Sequence, residues 1–507
     1  MNETFDVVVA GAGPVGLMLA CELRLGGVDV LVVERLTEPD MTIKAGAINV
    51  PTAQAFYRRG LLPDLLEQQN AALERIRTAS TYLSPEVTTQ RLPFAGHFAG
   101  IMLKTSDVDF DDPAFAELGP GAEAVMVAQQ GIEAILARRA AALGVQIRRG
   151  VELTAFEDDG TGVTLRVGDN TVRADWLVGC DGGRSTVRKQ AGFDFPGLDP
   201  EITGHQALVE MTGAEQLRPG WNSTDNGIYV NGPMPGRFVT VELDGPPADR
   251  TAPVTAAELQ ASLRAVSGVP VEITAVHSAT RFTDNTRQVT DYRNGRVLLA
   301  GDAAHVHSPF GGQGLNLGIG DAVNLGWKLA AVVRGDVRET LLDTYTTERH
   351  PVGAWVLEWT RAQIPLMRLD QRSRALRGVM TDLLATRDGA TAIFKKISGV
   401  LHRYDLGAGH GLIGAVTPDI ELSDGSRLGA HCTDGRAILL DLNDSEELRA
   451  IAAPWSDTVR IVTAKPVAPQ ELSTLLIRPD GYVAWAADCG AHAGLLEALR
   501  RWFGDKS

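Results

Sequence analysis

Phe5-Asp-Val-Val-Val-Ala10 followed at once by Gly11-Ala-Gly-Pro-Val-Gly16 opens this chain. The first run is apolar and β-branched, the pattern of a buried strand. Leu17, Leu19, Ala20, Leu23 and Leu25 then space out a helix to about Gly26, and Val28-Asp-Val-Leu-Val-Val-Glu34 reads as a second strand ending in an acid. The glycines permit a tight turn and close approach to a pyrophosphate, and the helix N-terminus faces it. The acid, 18 residues after Gly16, can bind ribose hydroxyls. An acid there favours a plain ribose, as in the adenosine half of FAD or NAD, over a 2′-phosphate. The expectation is an α/β chain that begins with a dinucleotide-binding unit.

Two later stretches repeat the idea of a strand running into a turn. Asp175-Trp-Leu-Val-Gly-Cys-Asp181-Gly-Gly-Arg184-Ser185-Thr-Val-Arg188 ends an apolar strand in Asp-Gly and opens a Ser-capped basic helix. Arg184 and Arg188 fit either solvated surface charges or a phosphate-facing role. Val297-Leu-Leu-Ala-Gly-Asp302-Ala-Ala-His305 ends another strand in Gly-Asp. Pro309-Phe-Gly-Gly-Gln-Gly-Leu-Asn316 then leads into a helix from Leu317 to Val333. Free N–H groups and the positive helix end point the same way there, and Asp302 can bind hydroxyls.

Between these stretches, Lys44 to Leu62 is a glycine-alanine loop entering an amphipathic helix with Thr52 as candidate cap, and 70–124 is irregular. A helix at 131–143 precedes strands at 146–149, 151–158 and 162–167. Residues 204–289 change character: strands at 206–211, 227–230, 237–243 and 271–280 are separated by turns such as Gly232-Pro-Met-Pro-Gly236, with a short helix at 255–266. Helices are expected at 343–359 and 361–384, with Pro351 and Pro365 interrupting or beginning segments. Beyond 388 come strands at 437–442, 459–464, 475–477 and 481–486 and a helix at 493–503.

The 507 residues carry 44% hydrophobic and 22% charged side chains and a net charge of −15. That charge argues against nucleic acid or an anionic membrane as main partner, without excluding a local basic pocket. Cys21, Cys180, Cys432 and Cys489 form no C-x-x-C pair, which fits a reducing cytoplasm and supports neither a zinc ribbon nor a dithiol motif. No signal peptide and no membrane span are expected.

Gly11–Gly16 with Glu34, Asp181-Gly182 and Gly301-Asp302, in this order and spacing, closely resemble the class A FAD-dependent aromatic monooxygenases, the superfamily of para-hydroxybenzoate and phenol hydroxylases. The wording of 177–188 and 297–329 is most similar to bacterial aromatic-polyketide hydroxylases. The resemblance covers essentially the whole chain. It implies a Rossmann-type FAD-binding domain (1–175, 176–200 and 290–387, with parts of 70–124 on the substrate side) and an inserted antiparallel-sheet substrate domain (201–289). A C-terminal thioredoxin-like domain without redox cysteines (388–507) completes it. Gly11, Gly13, Pro14 and Gly16 would pack against the FAD pyrophosphate, and Glu34, beside Arg35, would bind the adenosine ribose. Lys44 would lie near the pyrophosphate and Gln129 near the ribityl chain. Asp181, with Gly182, would serve both FAD and the nicotinamide. Asp302 would hold ribityl hydroxyls, with Pro309, Gly311, Gly312, Gly314, Leu315 and Asn316 beside the isoalloxazine. The chain departs from many relatives at Asn49-Val-Pro51 and at Gly131, where an arginine is often found.

The implied chemistry uses FAD, NADPH or NADH as transient co-substrate, and O₂, with no metal. A flavin C4a-hydroperoxide hydroxylates a polycyclic aromatic polyketide or similar bulky phenol, and water must be kept out. His205, Tyr229, His305 and His307 are candidate bases by position; Trp221, Met234 and Phe238 are candidate chamber residues. Each also fits a purely structural role. Other readings are Baeyer–Villiger or epoxidising oxygenation, inactivation of a rifamycin- or tetracycline-type antibiotic, and a reductase of the same superfamily. The partner is expected to be a small aromatic molecule, and the protein a monomer or homodimer.

Overall fold

A computed structural model describes residues 3–79, 94–116, 118–488, 490 and 492–506; Cys489 and the 80–93 part of the irregular segment lie outside these. The main sheet runs Arg293–Asn294, Val297–Leu299, Asn170–Gly179, Glu3–Ala10, Val30–Glu34, Gln146–Arg149, and the hairpin Leu153–Asp158/Val163–Val167 adds to its flank. Glu3–Ala10 pairs in parallel with both neighbours, and Val297–Leu299 in parallel with Asn170–Gly179. The three glycine-bearing strand ends therefore reach the same edge. Helices Pro14–Leu25 and Gly314–Val333 cross close beneath it. A Cβ at Gly318 would lie 2.5 Å from Val15, and one at Gly326 would lie 2.4 Å from Glu22, so only glycine allows this spacing.

The inserted domain is a five-stranded antiparallel sheet in the order Gly220–Ser223, Ile228–Asn231, Arg237–Glu242, Thr203–Thr212, Glu272–Phe282, with helix Ala256–Ser267 on one face. The first of these strands was not foreseen. Several local expectations need correction. Asn49, not Thr52, caps helix Val50–Arg58: its side chain accepts the Thr52 N–H at 3.2 Å. Within 70–124, helix Leu62–Ala79 and the hairpin Phe94–Phe98/Ile101–Lys104 are regular. Pro351 and Pro365 both sit inside helices, Asp343–Arg361 and Gln363–Met367. Helix Arg387–Ser398 packs through Ala390, Phe394 and Ile397 against Phe98 and Trp359, ahead of the last sheet.

That last sheet runs Val459–Thr463, Ala437–Asp441, Leu472–Ile477, Val483–Asp488, its first pair parallel and the rest antiparallel. Charged groups seal it to the rest of the chain. Arg478 donates to both Glu348 oxygens at 2.9 and 2.7 Å, and Lys328 lies 3.0 Å from Glu348. Arg59 pairs with Glu22 and donates to the Cys432 and Pro479 carbonyls. Burial alone would raise the Glu348 carboxyl, but Arg478 and Lys328 outweigh it and hold it at about 2; burial lowers Lys328 to about 8. No helix among the described residues is long and apolar enough to cross a membrane.

Removing Arg478 leaves the buried Glu348 to Lys328 and Asn324, and the buried Asp480 without its guanidinium. We expect Arg478→Met to cost about 3–5 kcal/mol, read as a lower thermal midpoint, with Glu348→Gln in the same background recovering part of the loss. The Glu348 contribution is expected at full strength above pH 4.5 and lost as pH falls towards 2, which acid titration of the unfolding midpoint checks.

Candidate active site

At the shared strand edge Gly11 takes φ +109°, and a Cβ there would lie 2.4 Å from the Cys180 carbonyl oxygen. At Gly16 a Cβ would lie 2.0 Å from the Gly11 oxygen. The chain's own packing demands both glycines. Gly13 is different: a Cβ would meet nothing within 4 Å, and no side chain caps the helix it precedes. Its missing side chain leaves a cradle beside open N–H groups, suited to an anionic group from outside the protein. Glu34 stands at the lip. Its carboxylate accepts the Ala12 and Leu36 N–H groups at 2.8 and 2.9 Å, keeping free lone pairs for hydroxyls; Arg35 beside it is exposed.

Asp181 forms the second side. One oxygen accepts the Thr186 and Val187 N–H groups at 2.7 and 3.1 Å, while Oδ1 is buried with no partner among the described residues. Such an oxygen is costly unless a ligand donates to it. Gly182, with φ +80°, turns the chain there. Both arginines donate to backbone carbonyls here. Arg188 donates to the Ala303 and Gly183 carbonyls, both at 2.9 Å, and its guanidinium lies 3.9 Å from the Phe195 ring centre. Arg184 donates to the Arg250 carbonyl at 2.6 Å. Arg188 thereby ties the second turn to the third.

On that third turn Asp302 is exposed and overlooks the start of helix Gly314–Val333; a Cβ on Gly314 would lie 4.0 Å from Asp302 Oδ1. Pro309 is exposed, Leu315 nearly buried, and Gly311 and Gly312 take φ +89° and +62°. Asn316 stitches this loop to the 44–49 segment: it accepts the Asn49 N–H at 2.9 Å and donates to the Gly312 carbonyl at 2.9 Å. Lys44 pairs with Asp40 at 2.8 Å. Gln129 reaches the same segment, its N–H donating to Ala45 at 3.0 Å and its side chain to Glu133 at 2.8 Å. The two departures are thereby placed. Asn49 is a cap and a tether, and a side chain at Gly131 would face Gln68 and Val127.

Strand register divides the inserted sheet's residues between two faces. His205, Tyr229 and Phe238 lie on the face under helix Ala256–Ser267. His205 Nε2 is 2.8 Å from Glu258, the Tyr229 hydroxyl accepts the Arg218 N–H at 3.2 Å, and Phe238 packs on Leu259 and Leu263. None of the three reaches the strand-end turns, so His205 and Tyr229 are not bases there and Phe238 does not line a chamber beside them. His305 is fully buried, with Nε2 2.7 Å from Asp321, and is structural. Of the four candidate bases only His307 borders the cradle. Its Nδ1 donates to the Ser308 carbonyl at 2.7 Å, leaving Nε2 as acceptor, and burial holds it below the usual histidine range. Met234 sits half-buried in the turn 232–236.

The opposite face carries Trp221, Ile228, Val241 and Phe282, which meet Phe310 of the glycine loop. Ring centres lie 6.3 Å apart for Trp221–Phe310 and 6.0 Å for Phe282–Phe310. His97 stands 5.0 Å from Trp221; burial pushes it down to about 4, so it is neutral at physiological pH. Beside it, Ala99 takes φ +52°, held by Gln363 at 2.9 Å and Arg377 at 2.7 Å. With Gly100 at φ +75°, Ala99 forms the two-residue turn that closes the hairpin Phe98/Ile101. Sequence reasoning missed Phe282 and His97; alternation in 271–280, extended two residues, would have found the first.

Gly13→Val is expected to fold, with a native circular dichroism spectrum, but to purify colourless and to lose the part of the thermal midpoint that bound flavin supplies, whereas Gly16→Ala should fail to fold; absorbance at the flavin band and circular dichroism separate the two. Trp221→Ala is expected to raise KM for an aromatic substrate about tenfold without lowering the midpoint much. Phe238→Ala should cost about 3–5 kcal/mol of stability and leave KM unchanged.

Comparison with known proteins now bears on this geometry. The FAD binding domain family matches residues 4–360, and the aromatic-ring hydroxylase C-terminal family matches 410–505. The chain is 42% identical to a monooxygenase of Claviceps purpurea, over 95% of this chain and 94% of that one. It is 40% identical to the rifampicin monooxygenase of Streptomyces venezuelae, over 99% of both. The solved anhydrotetracycline hydroxylase of Streptomyces rimosus superposes with a TM-score of 0.86 at 38% identity, covering 99% of this chain and 100% of that one. With three strand-end turns gathered around one cradle and these likenesses along its length, the chain belongs to the FAD-binding aromatic-ring hydroxylases and is a flavoprotein monooxygenase.

Proposed function

We propose that this protein uses FAD, NADPH or NADH, and O₂ to place one oxygen atom on a polycyclic aromatic polyketide or similarly bulky phenol. The observation that carries the reading is the buried Asp181 Oδ1, without a partner among the described residues, on the strand end next to the one that leads into Gly13.

Gly11, Gly13, Pro14 and Gly16 hold the pyrophosphate against open helix N–H groups, with Lys44 adding charge nearby. Glu34 binds the adenosine ribose, with Arg35 at its side. Asp302 and Gln129 hold ribityl hydroxyls. Pro309, Gly311, Gly312, Gly314, Leu315 and Asn316 border the ring system, and the Asp181-Gly182 turn serves both FAD and the docking nicotinamide. Bound there, FAD supplies hydride acceptance from the nicotinamide and oxygen transfer from O₂. This chain's residues supply orientation and dryness. Phe310, Trp221 and Phe282 form an apolar wall that excludes water from the transfer, and Met234 lies at the sheet end where a large substrate would emerge. His307, with Nε2 as acceptor, is our candidate to take a phenolic proton. We read the C-terminal unit as thioredoxin-like. Cys432 is buried, and burial pushes its thiol up.

A second reading, inactivation of a rifamycin-type antibiotic by the same chemistry, is favoured by the 40% identity to a rifampicin monooxygenase.

The purified protein is expected to be yellow, and anhydrotetracycline or rifampicin, tried as probes, to speed NADPH oxidation with matching oxygen uptake and a product heavier by one oxygen. A colourless protein, or a bound flavin that NADPH cannot reduce with any aromatic substrate present, overturns the proposal. Survival of a sensitive host expressing the gene on rifampicin selects the second reading.

A further inference from the structure

A cavity lies where helices Gly314–Val333 and Asp343–Arg361 meet the segment 399–404 and the C-terminal unit. It holds about 350 Å³, at the lower end of the roughly 300–1,000 Å³ typical of small-molecule sites. Its walls are mainly apolar and aromatic. Trp355, stacked on Trp359 at 5.7 Å and 21°, stands at the mouth with Val352, Val356 and Leu401. Tyr404, Tyr482 and His402 form the inner end.

The charge of the lining is one-sided. Its one acid, Asp480, is taken up by Arg478 and Asn324. Arg349 is spent on Asp321 and Lys395 on Asp112. Lys396 and Arg403 have no acid at salt-bridge distance among the described residues. Lys396 Nζ lies 5.8 Å from the Trp359 ring centre, and Arg403 donates only to carbonyls. An unneutralised basic mouth over an aromatic floor is unusual in a chain of net charge −15, and it selects anions. His402 adds a second indication. Its Nδ1 is 3.2 Å from the Tyr482 hydroxyl, and Nε2 is buried with no partner among the described residues. Burial lowers it to about 3, so the ring is neutral.

We propose that this cavity is a second ligand site, which takes a small planar aromatic anion, its ring against Trp355 and its acidic group at Lys396 and Arg403. The site lies behind the glycine loop, and its proposal does not depend on the oxygenase reading. The inner wall is formed in part by Gln313 and Asn316, whose side chains donate to the Gly311 and Gly312 carbonyls. An occupant would thus press on the back of the glycine loop.

Calorimetric titration of the full-length protein, as purified, with 1-naphthoate tests the site, with neutral 1-naphthamide as control. Naphthoate is expected to bind once and about tenfold more tightly than the amide. Lys396→Ala should erase the difference, Val352→Trp should fill the cavity and abolish binding, and Trp221→Ala should change nothing. No heat of binding up to ~1 mM, equal affinity for acid and amide, or loss of binding in Trp221→Ala with retention in Val352→Trp overturns the proposal. Should Val352→Trp not fold, judged by its thermal midpoint, the exposed Lys396→Ala substitution decides alone.

Discussion

One buried carboxylate holds the active-site framework together. Asp321 accepts the Gly301 N–H at 3.0 Å and lies 2.7 Å from His305 through one oxygen, and it takes Arg349 at 2.7 Å through the other. Arg349 in turn donates to the Leu317 carbonyl at 2.8 Å and to the Tyr404 hydroxyl at 3.1 Å. A single side chain thus fixes the Gly-Asp turn against the helix that follows it, and links both to the segment leading into the C-terminal unit. Burial would raise this carboxyl, but Arg349 and His305 outweigh it and it lies below the ordinary range. The anion is what the turn is built around, because a buried charge without partners would be far costlier than any local alternative.

The same logic repeats farther along the helix Gly314–Val333. Lys328, Glu348, Arg478 and Asp480 form a buried ionic cluster where an apolar contact would hold as well. What charges add is a defined relative placement: the groups are satisfied only in one docking of the C-terminal unit. This matters because that unit backs the helix whose first turn borders the cradle. Position at the cradle is therefore set by contacts well behind it.

The side of the turns that meets the inserted sheet is built differently. It has few ionic contacts and many rings, from Trp221 and Phe282 on the sheet, Phe310 on the glycine loop and Phe98 on a hairpin. Oxygen transfer to an aromatic ring needs a dry, shaped wall more than it needs charge. The strained Ala99 turn, held by Gln363 and Arg377, places that hairpin against the Trp221 indole; a Cβ at Gly100 would lie 2.1 Å from it.

The strand-end turns were legible in the sequence because each is local. A β-branched run, a glycine turn and a helix start lie within a dozen residues or so, and their chemistry follows from backbone geometry alone. The positions of Gly13, Glu34, Asp181 and Asp302 at these turns belong to this class. Which face of a strand is covered does not. Alternation separates His205 and Phe238 from Gln206 and Val239, but only the docking of helix Ala256–Ser267 decides which set is hidden. His305 and His307, two residues apart, part company because Asp321, on the neighbouring helix, claims one of them. Asn49 is a cap and tether only because Asn316 is folded beside it. Short-range backbone order was therefore written in the sequence, whereas the roles of buried polar and aromatic side chains waited on partners distant in sequence, whose proximity the tertiary structure alone creates.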